Sequence, residues 1–415
     1  MGVSNDRSQI VIICDTVPYP ARSGDNQRIA ELIDVLREHG WYVHLLLCGF
    51  INSGLRKLCL RHVDALHVYN GIGWQTRLRN IVRRGVRFAD RAGAIVGIPP
   101  LEELFRLLAG RAVGPLIVDY WQRYPAGLDE YVGYLSTRYP WKAAIVEYIW
   151  LHRALDKLAN GTARLLDTHD IQHKRVEEFA SRGMVFPLAI TRDEERRIFD
   201  RFDAVIAIQA AEADLIKKLC PQLKVLTVGS SGLSVAPVPP RPAQGRILYV
   251  GGYNGVNIDG LCRFFDCVWP KVLVQVPSAE LHVCGHIYRA FLGKRFPNVT
   301  FLGHKETVES EYAHASVVIN PVWIGTGLKI KTVEALARGK PLVTTSKGIE
   351  GLPQSVLASA AVVENSHDFA TQLTRFLTDP KARQAVSRAA GEFADIHLNK
   401  RAVYRELFEF LENVR

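Results

Sequence analysis

Short apolar runs alternate with longer amphipathic stretches along almost the whole chain. Runs of about 4 to 8 apolar residues are strand-sized, and apolar strands separated by helical stretches belong to a parallel sheet covered by helices on both faces. The first series is Ile10–Cys14, Tyr42–Cys48, Leu116–Tyr120, Ala143–Tyr148, Arg164–Asp167, Ala204–Ile208 and Val225–Val228, with a helix over Asn26–His39 that stops before Gly40. The alternation then pauses at LSVAPVPPRPAQG, where Pro237, Pro239, Pro240 and Pro242 rule out a helix or a central strand. It restarts with Ile247–Val250, Leu281–Cys284, Val299–Leu302, Val317–Pro321, Leu342–Thr345 and Ala361–Val363. A chain of 415 residues also exceeds what one hydrophobic core usually serves.

The predicted architecture is therefore α/β, with two Rossmann-like domains facing each other across a cleft. Residues 1–232 form the first domain, 233–245 a stiff proline-rich linker and 246–395 the second domain. Residues 396–415 hold a last amphipathic helix, Lys400–Val414, with Val403, Leu407, Phe408 and Leu411 on its apolar face. In open α/β sheets a ligand binds at the carboxyl ends of the strands.

The stretch NPVWIGTGLKIKTVEALARGKPLV, from Asn320 to Val343, carries the most chemistry. A strand enters a loop with Gly325, Thr326 and Gly327, followed by Leu328, Lys329, Lys331 and Glu334 at the start of a helix. The first turn of a helix offers unpaired N–H groups and the positive end of a dipole, both of which attract phosphate. The glycines let a ligand approach the backbone. An ordinary βα turn with solvated lysines would show the same glycines.

The segment resembles the donor-sugar motif of glycosyltransferase family 4, whose members have the GT-B fold. Lys331, Glu334, Ala335, Ala337, Gly339, Pro341 and Val343 match the family's helix, and Glu350 and Gly351 match the turn after it. PYPARSGDNQRI resembles the family's first loop, which implies that Ser23, Gly24 and Asp25 lie next to the donor phosphates. RILYVGGYNGVNIDGLCRFF resembles the opening of its nucleotide domain through Gly251, Gly252 and Asn257, and ELHVCGH fits the next strand with Gly285 at its end. Many members carry an arginine and a lysine near that opening, and none stands between Arg246 and Arg263 here, which leaves Lys329 and Lys331 for the diphosphate. Eight positions before Glu334 the family commonly has a second glutamate, where this chain has Thr326.

In the first half the family often places a histidine after a central strand; Glu147 stands there, and LLDTHDIQHKR follows with His169, Asp170 and His173. Glu147, His169, Lys331 and Glu334 are the expected catalytic set. His169 is equally consistent with a histidine satisfied by turn hydrogen bonds, and His173 and Arg175 read as the exposed start of a helix. The resemblance implies a retaining, hexosyltransferase-type enzyme with a nucleoside-diphosphate sugar as donor and a glycan or lipid-linked acceptor. It implies no cofactor and no metal, and no D-x-D cluster is visible in the sequence. Bacterial-type polysaccharide or glycoconjugate assembly is the implied setting. A non-catalytic GT-B relative that binds a partner or glycan, and a sugar-nucleotide epimerase, remain as alternative readings. A nicotinamide dehydrogenase fits poorly, because Ile330 stands where the third glycine of G-x-G-x-x-G belongs.

The formal net charge of +10 is concentrated between Leu55 and Arg91, where Arg56, Lys57, Arg61, Arg77, Arg79, Arg83, Arg84, Arg87 and Arg91 face only Asp64 and Asp90. Trp74, Leu78, Ile81, Val82 and Phe88 or Ala89 recur there at helical spacing. A basic amphipathic helix with a tryptophan suits reversible contact with an anionic membrane, and equally a helix docked on its own domain with solvated arginines. No nucleic-acid recognition motif accompanies the charge. No apolar run approaches the ~20 residues of a membrane span. The N-terminus lacks an apolar signal segment, and Asp6 occupies the Ser/Thr position of a myristoylation signal. Seven scattered cysteines without a C-x-x-C pair fit buried free thiols in a reducing cytoplasm. A cytoplasmic protein, peripheral on the inner face of the cell membrane, is the expected localisation.

Overall fold

The computed structural model describes residues 7–21, 24–71, 118–119, 123–181, 188–232, 245–305, 307–325 and 327–414. The proline-rich segment 233–244, the basic run over Trp74–Arg91, Ser23 and Thr326 lie outside the described residues. The chain divides into two compact units, one of Met1–Val17 with Leu36–Val205 and one of Pro18–Val35 with Ile206–Arg415.

Fifteen strands are described: β1 (Gln9–Cys14), β2 (Tyr42–Cys48), β3 (Ala65–Tyr69), β4 (Val118–Asp119), β5 (Trp141–Glu147), β6 (Ala163–Asp167), β7 (Leu188–Ala189), β8 (Ala204–Ala207), β9 (Lys224–Thr227), β10 (Arg246–Val250), β11 (Glu280–Cys284), β12 (Val299–Gly303), β13 (Val317–Asn320), β14 (Leu342–Thr345) and β15 (Ala361–Val363). They form a seven-stranded sheet in the order β3-β2-β1-β5-β6-β8-β9, a six-stranded sheet in the order β12-β11-β10-β13-β14-β15, and the pair β4-β7. β1 runs parallel to β2 and β5, and β10 runs parallel to β11 and β13. The strand order therefore reverses beside β1 in one sheet and beside β10 in the other, and such reversals open a crevice at the carboxyl ends of the strands.

The apolar runs are apolar because both faces of each sheet are covered. Ile10 to Cys14 are wholly buried. In the six-stranded sheet, Ile247, Tyr249, Val283, Val317 and Ile319 enter one core with Phe264, Trp269 and Phe369. Leu248, Cys284 and Val318, pointing the other way, enter a second core with Val333, Leu336 and Phe393. All seven cysteines are free thiols, and Cys14, Cys48 and Cys284 are buried, as their apolar settings imply.

Three elements differ from the sequence pattern. Of the expected strand Leu116–Tyr120 only Val118–Asp119 is described, and among the described residues it pairs with Leu188–Ala189, outside the two large sheets. Ala65–Tyr69 is an edge strand with every residue half-buried, so it lacked the apolar run that marks the central strands. The expected single helix Lys400–Val414 is two helices, Lys400–Val403 and Arg405–Glu412. Tyr404, buried between them, breaks the run. The second of these helices is tied to β9, because the backbone N–H of Thr227 donates to the Glu406 carboxylate at 2.7 Å.

Candidate active site

The second unit gathers most of the sequence-predicted donor residues around the helix Ile330–Ala337. Gly325 and Gly327 have φ of 99° and 78°, a left-handed backbone that glycine adopts without strain. The Lys329 ammonium donates to the carbonyls of Gly327, at 2.7 Å, and Gly325, at 3.3 Å, and lies 3.8 Å from the Glu350 carboxylate. Lys329 therefore folds the glycine loop back onto the helix start. It is also the helix's N-cap residue, and no side chain caps that end. The first N–H groups are left to the dipole end of the helix.

Lys331 points elsewhere. Its ammonium donates to the Tyr249 hydroxyl at 3.1 Å and to Asn257 Oδ1, and lies 4.8 Å from the centroid of the Tyr249 ring. Burial, and next the charge of Lys329, push its pKa down to about 7. Asn257 is itself fixed, because its amide donates to the Gly252 carbonyl at 2.9 Å. Gly251 and Gly252 follow β10 directly, as expected of residues at the reversal of strand order. Gly285, after β11, has φ of 102°, and a Cβ there would sit 2.2 Å from the Gly251 carbonyl oxygen. Only glycine fits that crossing of two loops.

Glu334 is almost completely buried, at 4 % exposure. One carboxylate oxygen accepts from Gln27 Nε2 at 2.8 Å and the other from the Tyr312 hydroxyl at 3.1 Å. Desolvation raises its pKa, against the pull of nearby Arg338. Gly24 opens the helix Gly24–Glu38, and a Cβ on it would sit 3.1 Å from the Ile330 side chain. The first loop and the helix Ile330–Ala337 thus meet, with Asp25 in the first turn of the helix Gly24–Glu38. Leu328 is half-buried and packs on the core below.

The first unit brings Glu147 and His169 together at the carboxyl ends of β5 and β6. His169 Nε2 lies 2.6 Å from Glu147 Oε2, with both side chains buried. His169 has φ of 59° and Tyr148 has φ of 72°, conformations rare for residues with side chains. Tyr148 stacks on the His169 ring at 3.9 Å and on Trp150 at 4.2 Å, and the Arg123 guanidinium covers Trp150 at 3.8 Å. Asp15 closes the stack, accepting from Trp150 Nε1 at 2.9 Å. Sequence reasoning missed Asp15, Arg123, Tyr148 and Trp150. The signal for Tyr148 and Trp150 was their place just after Glu147.

Glu147, Asp167 and His169 also present ligand-type atoms within 4.8 Å of one another. The His169–Glu147 hydrogen bond occupies that space, and a metal held by the three would have to break it. His173 departs from the expected exposed helix start. It is buried, and its Nδ1 lies 2.6 Å from Glu195, whose carboxylate also accepts from the N–H groups of Gln172 and His173. His173 and Glu195 therefore anchor the helix Gln172–Ala180 to its neighbour. Asp170 accepts from Arg175 at 2.7 Å, a local clasp at the same helix.

Residues 244–379 match the family model described as glycosyl transferases group 1. Sucrose-phosphate synthase from Thermosynechococcus elongatus superposes with a TM-score of 0.64 at 16% identity, covering 98% of this chain and 99% of that one. A crystal structure of TarM gives 0.67 at 10% identity, covering 100% of both chains. Anabaena HepE in complex with UDP and glucose gives 0.62 at 14% identity, covering 98% of this chain and 100% of that one. The fold is GT-B. Among curated sequences, an uncharacterised 44.6 kDa protein of the Klebsiella pneumoniae cps region is 21% identical over 175 residues, 40% of this chain and 45% of that protein. The chain thus spans less than half the length of that relative. The group 1 match and the GT-B fold together support a glycosyltransferase. Among the described residues, no helix is long and apolar enough to cross a membrane.

Proposed function

We propose that the protein transfers a sugar from a nucleoside-diphosphate sugar to a glycan or lipid-linked acceptor, with retention of the anomeric configuration. The observation that carries this reading is the helix start at Ile330, which no side chain caps among the described residues, with the Lys331 ammonium one residue into the same helix and held by neutral oxygens of Tyr249 and Asn257. Backbone N–H groups at a helix start and a lysine in its first turn suit a diphosphate leaving group, where charge grows in the transition state. The glycine loop supplies close approach, and Lys329 holds that loop in shape.

Glu334 accepts one hydrogen bond on each oxygen, so lone pairs remain for the hydroxyls of a ribose. In the first unit, His169 and Glu147 supply a rigid polar pair suited to a sugar hydroxyl or an acceptor. The acceptor's proton leaves with the departing phosphate, and no step requires a metal. The HepE complex with UDP and glucose supports a uridine donor. The cps-region relative supports bacterial-type polysaccharide or glycoconjugate assembly. The sequence's basic run between Leu55 and Arg91 supports reversible contact with an anionic membrane carrying the acceptor, at the cytoplasmic face.

Mass spectrometry of small molecules retained by the purified protein tests the reading. A nucleoside diphosphate or its sugar should be recovered from wild-type protein and lost from Lys331→Ala. Recovery of a nicotinamide dinucleotide would overturn it.

A further inference from the structure

Two lysines stand within one helical turn of the proposed phosphate site, and their surroundings differ. Lys329 is bound to two backbone carbonyls and lies beside the carboxylate of Glu350. Lys331 makes no ion pair among the described residues. Its partners are the amide oxygen of Asn257 and the hydroxyl of Tyr249, both neutral.

We propose that Tyr249 and Asn257 are positioning residues that hold Lys331 as a proton-dependent receptor for the donor's diphosphate, so that donor binding takes up a proton at this side chain. The inference rests on the donor-binding reading above and adds to it which lysine binds and how that lysine is tuned.

An ammonium removed from water and given only neutral acceptors is costly, and a second ammonium nearby adds repulsion. The groups that face Lys331 come from four places. Lys329 precedes it in the loop and opposes its charge; Glu334, one turn on in its own helix, favours it; Asn257 comes from the helix Gly255–Cys267, and Tyr249 comes from β10. Glu334 is engaged by Gln27 and Tyr312 and does not form an ion pair with Lys331. Burial keeps the Tyr249 hydroxyl protonated, since its pKa is driven up by desolvation. The balance leaves Lys331 titrating at about 7, far below an ordinary lysine. A diphosphate placed against it supplies the missing opposite charge and returns its proton affinity toward that of an ordinary lysine.

The sign follows from linkage. Below the free-protein pKa, Lys331 is already charged and binding gains nothing from further acid. Above it, each bound diphosphate must bring a proton, so affinity should fall by about tenfold per pH unit. Asn257→Asp puts a carboxylate against the ammonium and should move the onset of that fall to higher pH. Tyr249→Phe removes one acceptor, keeps the ring, and should move the onset to lower pH. A residue that merely packs would weaken binding without moving the onset. Lys331→Arg carries a charge that cannot be titrated in this range and should flatten the profile.

Isothermal titration calorimetry with UDP and with GDP, from pH 7 to 9.5 in buffers of different ionisation enthalpy, reads both affinity and proton uptake. Circular dichroism confirms that each variant is folded. The expected result is uptake approaching one proton per nucleotide near pH 8.5 in wild-type protein, none in Lys331→Arg, and opposite shifts of the onset in Asn257→Asp and Tyr249→Phe. Nucleotide binding by the wild-type protein with no proton uptake at any pH would overturn the inference and leave the donor-binding reading standing. Failure of both nucleotides to bind at any pH would overturn both. The wild-type measurement decides the matter even if a variant does not fold.

Discussion

His169 and Glu147 form a buried pair, Nε2 to Oε2 at 2.6 Å, held at the carboxyl ends of adjacent parallel strands. The imidazole is fixed on one side by Glu147 and across its face by Tyr148. Both His169 and Tyr148 pay for this with left-handed backbones. A turn histidine satisfied by local hydrogen bonds needs no such stack. The arrangement suits a group whose orientation matters to a reaction.

Replacing His169 with alanine should lower kcat by roughly a hundredfold or more, the usual scale for a positioned polar group in catalysis. UDP affinity should be unchanged. Glu147→Gln should give a smaller loss, because an amide still bonds the imidazole but carries no charge. Steady-state kinetics equal to wild type in a folded His169→Ala protein would remove the pair from the site.

Lys331→Ala should weaken UDP binding at pH 7 by about tenfold or more, since charge-assisted hydrogen bonds are worth roughly 1.5 to 3 kcal/mol. Lys329→Ala should act differently, by loosening the Gly325–Gly327 loop that its ammonium ties down. Calorimetry comparing the two variants checks this: equal losses of enthalpy and affinity would contradict the division of roles.

The depressed proton affinity of Lys331 also bears on stability. Between pH 7 and the ordinary lysine pKa, the unfolded chain binds more protons than the folded one, so this group's contribution to stability rises with pH across that window. Below about pH 7 the charged lysine is a full burden. Lys331→Met should therefore raise the melting temperature at pH 6 by more than at pH 9.5. A thermal melt showing the reverse order would contradict the burial of a charge at this position.

Glu334→Gln puts a donating NH2 where one carboxylate oxygen accepts from Gln27 or Tyr312, so that a donor then faces a donor at one of these two buried contacts. A loss of about 1 to 3 kcal/mol in stability is expected from an unsatisfied buried group, together with weaker binding of UDP. Denaturant unfolding and calorimetry on the same preparation separate the two effects. Unchanged UDP affinity would remove Glu334 from ribose contact.

Membrane contact is tested by cosedimentation. The wild-type protein should pellet with anionic liposomes at low salt and release at high salt, because each basic residue contributes about 1 kcal/mol and is screened within a Debye length. Changing Arg79, Arg83, Arg84 and Arg87 to glutamine should abolish pelleting while sparing donor hydrolysis. A wild-type protein that stays in solution at low salt would contradict the membrane role.

The sheets were legible because fully covered strands must be apolar over their length, as in Ile10–Cys14 and Val317–Asn320. Gly325, Gly327 and, after β11, Gly285 were legible as turn positions, because each occupies a positive-φ backbone that glycine favours. Lys329 and Lys331 were not separable from sequence, since two residues of spacing do not say which ammonium turns back to the loop carbonyls. His173 was misread as exposed. A histidine at a helix start looks solvated until its partner is known, and Glu195 lies in another helix. Tyr249 and Gln27 were invisible for a similar reason. Each acts by touching a side chain far along the chain, Lys331 in one case and Glu334 in the other.

The most direct test of the central claim is turnover of the donor. Purified protein should be incubated with a panel of UDP- and GDP-linked sugars, with and without glycan acceptors, and released nucleoside diphosphate followed by coupled assay and mass spectrometry. The prediction is release of nucleoside diphosphate from at least one of these donors, reduced about tenfold or more in Lys331→Ala and roughly a hundredfold or more in His169→Ala, with the transferred sugar keeping its anomeric configuration. No release from any donor, together with no binding of UDP or GDP, would contradict the account.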